Sequence, residues 1–307
     1  MRRTALNCIH ELATKDERVV FIGSDITKRD VTAFAEEFPN RFFMEGIYEQ
    51  HLIGMAAGLA LSGKIPFINT IATFLTRRCF EQILVDLCMH NLPVRLIGSG
   101  GGVVYAPLGG THIAIEDIAI LRVIPNITII SPSDAEEMKR LMPHTLNWPN
   151  PIYIRLAKGG DPILASKNNA FEIGKAITVI EGDKIVFIST GTTTYIAKQA
   201  ADILANDGID VGVVHVHTIK PLDTEKILKT IAEAQIVLTI EEHRITGGLG
   251  SALSELIAEE HEGKAIKFKR IGFPDVFTEE LGSQNEIMDK YGITVENILK
   301  TTKELLH

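Results

Sequence analysis

Unbroken apolar runs of strand length alternate with longer amphipathic stretches along most of the chain. The runs lie at 19–22, 42–44, 66–70, 94–98, 127–130 and 152–155. Continuous apolar runs are the mark of strands buried on both faces, and their alternation with helical spacing predicts a parallel sheet covered on both sides. Residues 2–14 predict an amphipathic helix before the first strand, and 113–121 another after the fourth. Between 157 and 183 the pattern breaks at Gly159-Gly160, Asp161-Pro162 and Asn168-Asn169. It resumes with strands near 185–189, 211–214, 236–240 and 266–270, and helices near 194–206, 224–234, 248–260 and 295–306. The expected fold is α/β with two doubly wound domains, a parallel-sheet domain over 1–157 and a smaller α/β domain over 184–307. Residues 158–183 would link them.

The stretch 44–91 organises the first domain. It predicts a strand end, a turn carrying Glu49, an Ala/Gly-rich helix stopped by Gly63, a short buried strand and a second long helix opening at Thr73-Phe74. One acid and one aromatic thus stand at successive loop-helix junctions, where open α/β sheets bind ligands. Ala56, Ala57, Gly58 and Ala60 let the first of these helices lie against a close neighbour, inside the domain or in a subunit interface. Glu49 at the mouth of a dry site could share a proton with a ligand nitrogen. An acid in the first turn of a helix is also favoured by the macrodipole alone.

Composition narrows the function classes. The 307 residues suffice for two domains, and 45% hydrophobic with 23% charged residues is the balance of a soluble globular protein. A net charge of −8 with scattered basic residues offers no footprint for nucleic acid or an acidic membrane. No leader-like pattern or membrane-length apolar stretch is read, and Cys8, Cys79 and Cys88 lack metal-ligand spacing. A cytoplasmic protein with reduced thiols is expected.

Residues 99–111, SGGGVVYAPLGGT, form a Gly-rich loop without a phosphate-binding fingerprint. It reads equally as a substrate-side loop or a mobile surface loop. His215 and His217 share a strand face but lack further ligands nearby, so a structural role outweighs a metal site. Glu241-Glu242-His243 before Gly247-Gly248 points to domain packing.

A family resemblance unites these features. G-I-Y-E-Q-H at 46–51, A-A-G-L-A at 56–60, T-I-A-T-F-L-T-R at 70–77, L-P-V at 92–94, G-T-H at 110–112, P-S-D at 132–134 and K-P-L-D at 220–223 follow in order over nearly the whole chain. The chain resembles the C-terminal half of transketolase, and of 1-deoxyxylulose-5-phosphate synthase, enzymes that use thiamine diphosphate. The resemblance implies a pyrimidine-binding domain followed by a transketolase C-terminal domain. It makes Glu49 the acid that hydrogen-bonds a pyrimidine nitrogen and activates the cofactor, and Phe74 the aromatic that stacks on the ring. Ile71 stands where related synthases often have a tyrosine, and His51 is a candidate to line the same cavity. His112 matches the histidine facing the substrate, where imidazole suits proton transfer. Arg77 and Arg155, and more remotely Arg2, match arginines that hold a substrate phosphate by charge-assisted bonds.

Departures from the family pattern lie on the substrate side. Ser99-Gly100-Gly101-Gly102 replaces D-R-A-G, the acid before T-H-Q is replaced around Leu108, and the following glutamine is Ile113. A sugar or sugar-phosphate substrate is expected, with an unusual donor or acceptor such as a modified or unphosphorylated sugar. The chain contains no G-D-G, the motif by which this family holds the diphosphate through Mg2+. The resemblance therefore implies one subunit of a split transketolase, with the cofactor shared and Mg2+ on an N-terminal-half partner. Two such chains would pair as a homodimer within a heterotetramer. The alternatives are the β subunit of a 2-oxoacid dehydrogenase, a deoxyxylulose-phosphate-type synthase, or a non-catalytic assembly subunit.

Overall fold

The computed structural model describes residues 1–26, 29–157, 159–164, 171–263 and 265–306. Its strands are β1 (Val19–Gly23), β2 (Phe42–Met44), β3 (Ile65–Ile71), β4 (Arg95–Ser99), β5 (Thr128–Ile130), β6 (Ile152–Leu156), β7 (Ile177–Ile180), β8 (Ile185–Ser189), β9 (Gly212–His215), β10 (Thr218–Lys220), β11 (Ile236–Arg244) and β12 (Lys267–Phe273). The α-helices are α1 (Arg2–Lys15), α2 (Thr32–Glu37), α3 (Glu49–Leu61), α4 (Ala72–Thr76), α5 (Phe80–Gln82), α6 (Asp117–Arg122), α7 (Ala135–Thr145), α8 (Thr193–Asn206), α9 (Thr224–Ile231), α10 (Leu249–Glu260), α11 (Gln284–Lys290) and α12 (Val295–Leu306).

A seven-stranded sheet in the order β10-β5-β6-β4-β3-β1-β2 is parallel except for β10. Successive residues of its strands serve opposite cores. Phe21, Phe67 and Ile97 pack with Leu6 and Ile9 of α1 and Leu141 of α7. Ile22, Ile68 and Leu96 pack with Leu52 and Ile53 of α3, Leu75 of α4 and Ile118 of α6. The second sheet, β12-β11-β8-β9-β7, is parallel except for β7 and is likewise covered on both faces.

Three local expectations change. The second long helix after Phe74 is broken: α4 ends at Thr76, Arg77 to Cys79 turn, and a π-helical turn, Ile83–Cys88, follows α5. The Thr76 hydroxyl bonds back to the Ala72 carbonyl at 2.8 Å and the Cys79 thiol to Phe74 O at 3.4 Å, and such back-bonds compete with a regular helix. The helix expected over 113–121 starts at Asp117, because Ala114 bridges to Gly102 and the Ile115 carbonyl accepts from Arg244 N. Within the stretch expected as a linker, of which 158 and 165–170 lie outside the described residues, residues 177–180 form β7 against β9.

The two sequence blocks also interlock. β10, from the second block, pairs antiparallel with β5 of the first sheet. The Gly-rich loop packs inward, placing Val103 and Ala106 in the core of the second unit. A Cβ on Gly102, at φ +71°, would stand 2.2 Å from Glu242 Oε1, and Val103 N donates to the same oxygen at 2.7 Å. Its glycines admit neighbouring protein, which corrects both the substrate-loop and the mobile-loop expectation for residues 100–106.

Candidate functional site

Glu49 opens α3 a few residues after β2, and Phe74 lies in α4 directly after β3. Both therefore stand at the carboxyl edge of the first sheet. The Glu49 carboxylate is only 2% exposed and accepts from Arg78 Nη1 at 2.6 Å. The same guanidinium lies 4.5 Å from the centroid of the Phe74 ring. The His112 ring meets Phe74 edge-on, with centroids 5.2 Å apart, and its Nδ1 is 2.9 Å from Thr111 Oγ1.

Arg77 turns to the cleft beside this group. It pairs with Glu116 at 3.1 Å and donates to Thr111 O at 2.9 Å. Burial raises the Glu116 carboxyl above its ordinary value, and Arg77 opposes that rise. A cleft of about 1070 Å³ adjoins the group, lined by Phe74, Arg77, Arg78 and Thr111 and, from the second unit, by Arg244 and Phe277. Ile71, the last residue of β3, caps α4 and is half-buried.

Three expected residues are not brought to this group. His51 is exposed on α3, and two residues along a helix is a rotation of about 200°, which turns it away from the buried Glu49. Arg155 points into the junction between the two units rather than into the cleft. Its Nε donates to Asp117 Oδ2 at 2.8 Å, and its Nη2 to Ala114 O at 2.9 Å and Glu242 O at 2.8 Å. A Cβ on Gly101 would lie 2.4 Å from its stem. The phosphate-holding expectation for Arg155 is therefore corrected to a structural ion pair. Arg2 bonds Tyr105 OH at 3.3 Å and pairs with Asp30 at 3.5 Å, also elsewhere.

Arg78, Glu116 and Arg244 are members of the site that sequence reasoning passed over. Arg78 alone carried a signal, as the second arginine of T-R-R. Glu116 reaches the cleft by pairing with Arg77, far from it in sequence, and Arg244 only through the contact between units. The remaining conspicuous residues are structural. His215 bonds Glu137 at 2.9 Å, and despite the cost of burial the histidine holds that carboxyl down at about 2. The Glu241 carboxylate caps α10 through Leu249 N at 2.8 Å and Gly250 N at 2.9 Å. Among the described residues no group of three or more His, Cys, Asp or Glu side chains could hold a metal ion, and no helix is long and apolar enough to cross a membrane.

Residues 1–160 match the family model of the transketolase pyrimidine binding domain, and residues 174–298 that of the transketolase C-terminal domain. The chain belongs to the transketolase family. Among its relatives is the 6-deoxy-6-sulfo-D-fructose transketolase subunit SqwH of Clostridium sp. (strain MSTE9), 34% identical over 99% of this chain and 94% of the relative. An apulose-4-phosphate transketolase subunit of Phocaeicola vulgatus is 36% identical, over 99% and 97% of the two chains. A solved structure described as a split gene transketolase, inactive beta4 tetramer, superposes with a TM-score of 0.91 at 35% identity, covering 99% of this chain and 97% of the other. The protein is thus of the type found as one subunit of split transketolases. Membership of the transketolase family implies thiamine diphosphate.

Proposed function

We infer that this chain is the pyrimidine-binding and C-terminal subunit of a split transketolase, transferring a two-carbon ketol unit from a ketose to an aldose acceptor. The observation that carries this reading is the convergence of Glu49 and Phe74. A buried carboxylate and an aromatic ring lie close enough for one flat guanidinium to touch both, which fits the edge and face of an aminopyrimidine. Thiamine diphosphate, when bound, supplies the carbon nucleophile that carries the transferred unit. Glu49 would hold a proton at the pyrimidine nitrogen, and Phe74 would orient the ring. His112, on the edge of Phe74, would move a proton at the substrate oxygen, and Arg77 would position the substrate chain from the cleft side.

The diphosphate and Mg2+ are assigned to an N-terminal-half partner chain, since the G-D-G motif is missing from this sequence. The inactive beta4 tetramer of the split-gene relative supports activity only with that partner, in a heterotetramer built on a homodimer of this chain. The free, buried state of Cys8, Cys79 and Cys88 accords with a cytoplasmic setting. The relatives' sulfosugar and apulose phosphate names, with Arg155 engaged in the ion pair to Asp117, support an acceptor or donor other than the common phosphorylated sugars.

Calorimetry tests this reading. Thiamine diphosphate with Mg2+ is titrated into this chain alone, then into its mixture with a candidate N-terminal-half chain. Tight binding only in the mixture is expected. Binding by the single chain would move the diphosphate site onto it, and binding by neither would make the chain a non-catalytic subunit.

A further inference from the structure

Arg78 has no part in the chemistry proposed above, yet it touches both surfaces that reading gives to the pyrimidine. Its Nη1 is 2.6 Å from Glu49 Oε2, and its guanidinium carbon is 4.5 Å from the Phe74 ring centroid. The side chain is 42% exposed while the carboxylate it covers is 2% exposed. From the cleft, Glu49 is therefore reached past Arg78.

The local chain aims the arginine there. Arg78 sits four residues beyond Phe74, in the turn where the helix breaks after Thr76. That turn brings its guanidinium back over the ring. A guanidinium is planar, carries N–H donors along its edge and stacks on aromatic faces, so it imitates an aminopyrimidine in both contacts. The imitation has a chemical limit. A carboxylate bonded to a guanidinium is an acceptor only, whereas holding a proton against a heterocycle nitrogen requires Glu49 to donate.

We propose that Arg78 is a built-in competitor for the pyrimidine seat, an autoinhibitory contact that must release Glu49 before a cofactor can engage it. This rests on the transketolase reading. Asp275 and Glu279 of the second unit line the same cleft and offer carboxylates to the displaced side chain. Release of Arg78 thereby links the seat to the second unit. The competition makes the chain insensitive to free heterocycles too weak to break the ion pair.

The test is cofactor affinity rather than turnover. Wild-type, Arg78→Ala and Arg78→Lys chains are each mixed with the N-terminal-half chain and titrated with thiamine diphosphate and Mg2+ by calorimetry, at low and high salt. Competition predicts about tenfold tighter binding for Arg78→Ala at low salt. Arg78→Lys, which keeps the charge but not the flat face, should fall between. The gap should narrow as salt screens the exposed side of the pair. If the wild type binds and Arg78→Ala gains nothing or binds more weakly, Arg78 is a support for Glu49 and this inference falls while the function stands. If no mixture binds, the function falls and takes this inference with it. Should Arg78→Ala fail to fold, as circular dichroism would show, the lysine variant decides on the same criterion.

Discussion

At the scale of single residues, the site depends on a few groups whose chemistry is strong and whose positions differ in how plainly the sequence announced them. Glu49, Phe74 and His112 stand in short motifs, and the structure puts them side by side. Replacing Glu49 by alanine in the assembled enzyme should lower turnover by about 10³-fold. The circular dichroism of the chain should not change; undiminished activity in a coupled assay would remove the proposed role. His112→Ala should lower kcat by about 10²-fold or more with cofactor affinity nearly unchanged. A kinetic and calorimetric comparison would show the reverse if His112 only packs against Phe74. Arg155 illustrates where motif matching stops. Its type and strand position matched a phosphate ligand, but the direction of a side chain depends on what tertiary packing brings beside it, here Asp117 from its own unit and the Glu242 carbonyl from across the unit boundary.

At the scale of elements, most strands were legible because they are buried on both faces and read as unbroken apolar runs, whereas the short antiparallel edge strands β7 and β10 were not. The helix break after Thr76 was not, because it arises from side chains bonding back to carbonyls rather than from a glycine or proline. Nor was the inward packing of the Gly-rich loop, whose composition alone suits a mobile segment equally well. Gly102→Ala should destabilise the protein by about 1–3 kcal/mol, since φ is +71° and the added Cβ would meet Glu242 Oε1 at 2.2 Å. Asp117→Asn should cost about 3–5 kcal/mol by leaving the Arg155 cation buried without its ion-pair partner. Urea unfolding measures both, and a cost within experimental error for Asp117→Asn would show that the junction relaxes around the arginine.

At the scale of the whole molecule, two buried histidines tie stability to pH. Burial lowers His217 to about 4, with Phe171 stacked on it at 4.2 Å, and likewise lowers His243 to about 4 in the polar junction near Asp117. Below the ordinary value of about 6.5 the unfolded chain takes up protons that the folded chain refuses. Their contribution is complete above that value and is lost as pH falls from about 6.5 to about 4. Glu241, raised by burial to about 7, acts with the opposite sign: its contribution is greatest at low pH and is lost as pH rises through about 7. A His217→Gln variant isolates one term. Between about pH 6.5 and 4 its stability should fall less steeply than that of the wild type by about 1.4 kcal/mol per pH unit. Equal slopes in urea unfolding at several pH values would show that His217 does not resist protonation in the fold.

The sequence by itself determined the alternation of strands and helices, the two sheets, the family and the loop-helix junctions that carry Glu49 and Phe74. These are local or periodic properties, and burial on both faces of a sheet writes them into consecutive residues. Only the tertiary structure decided how the two blocks interlock. β10 crosses to the first sheet, Val103 and Ala106 enter the second core, Arg155 turns inward, and Arg78 comes to rest on Glu49. Each depends on groups far apart in sequence, or on a turn whose direction is set by packing, and neither leaves a period in the chain.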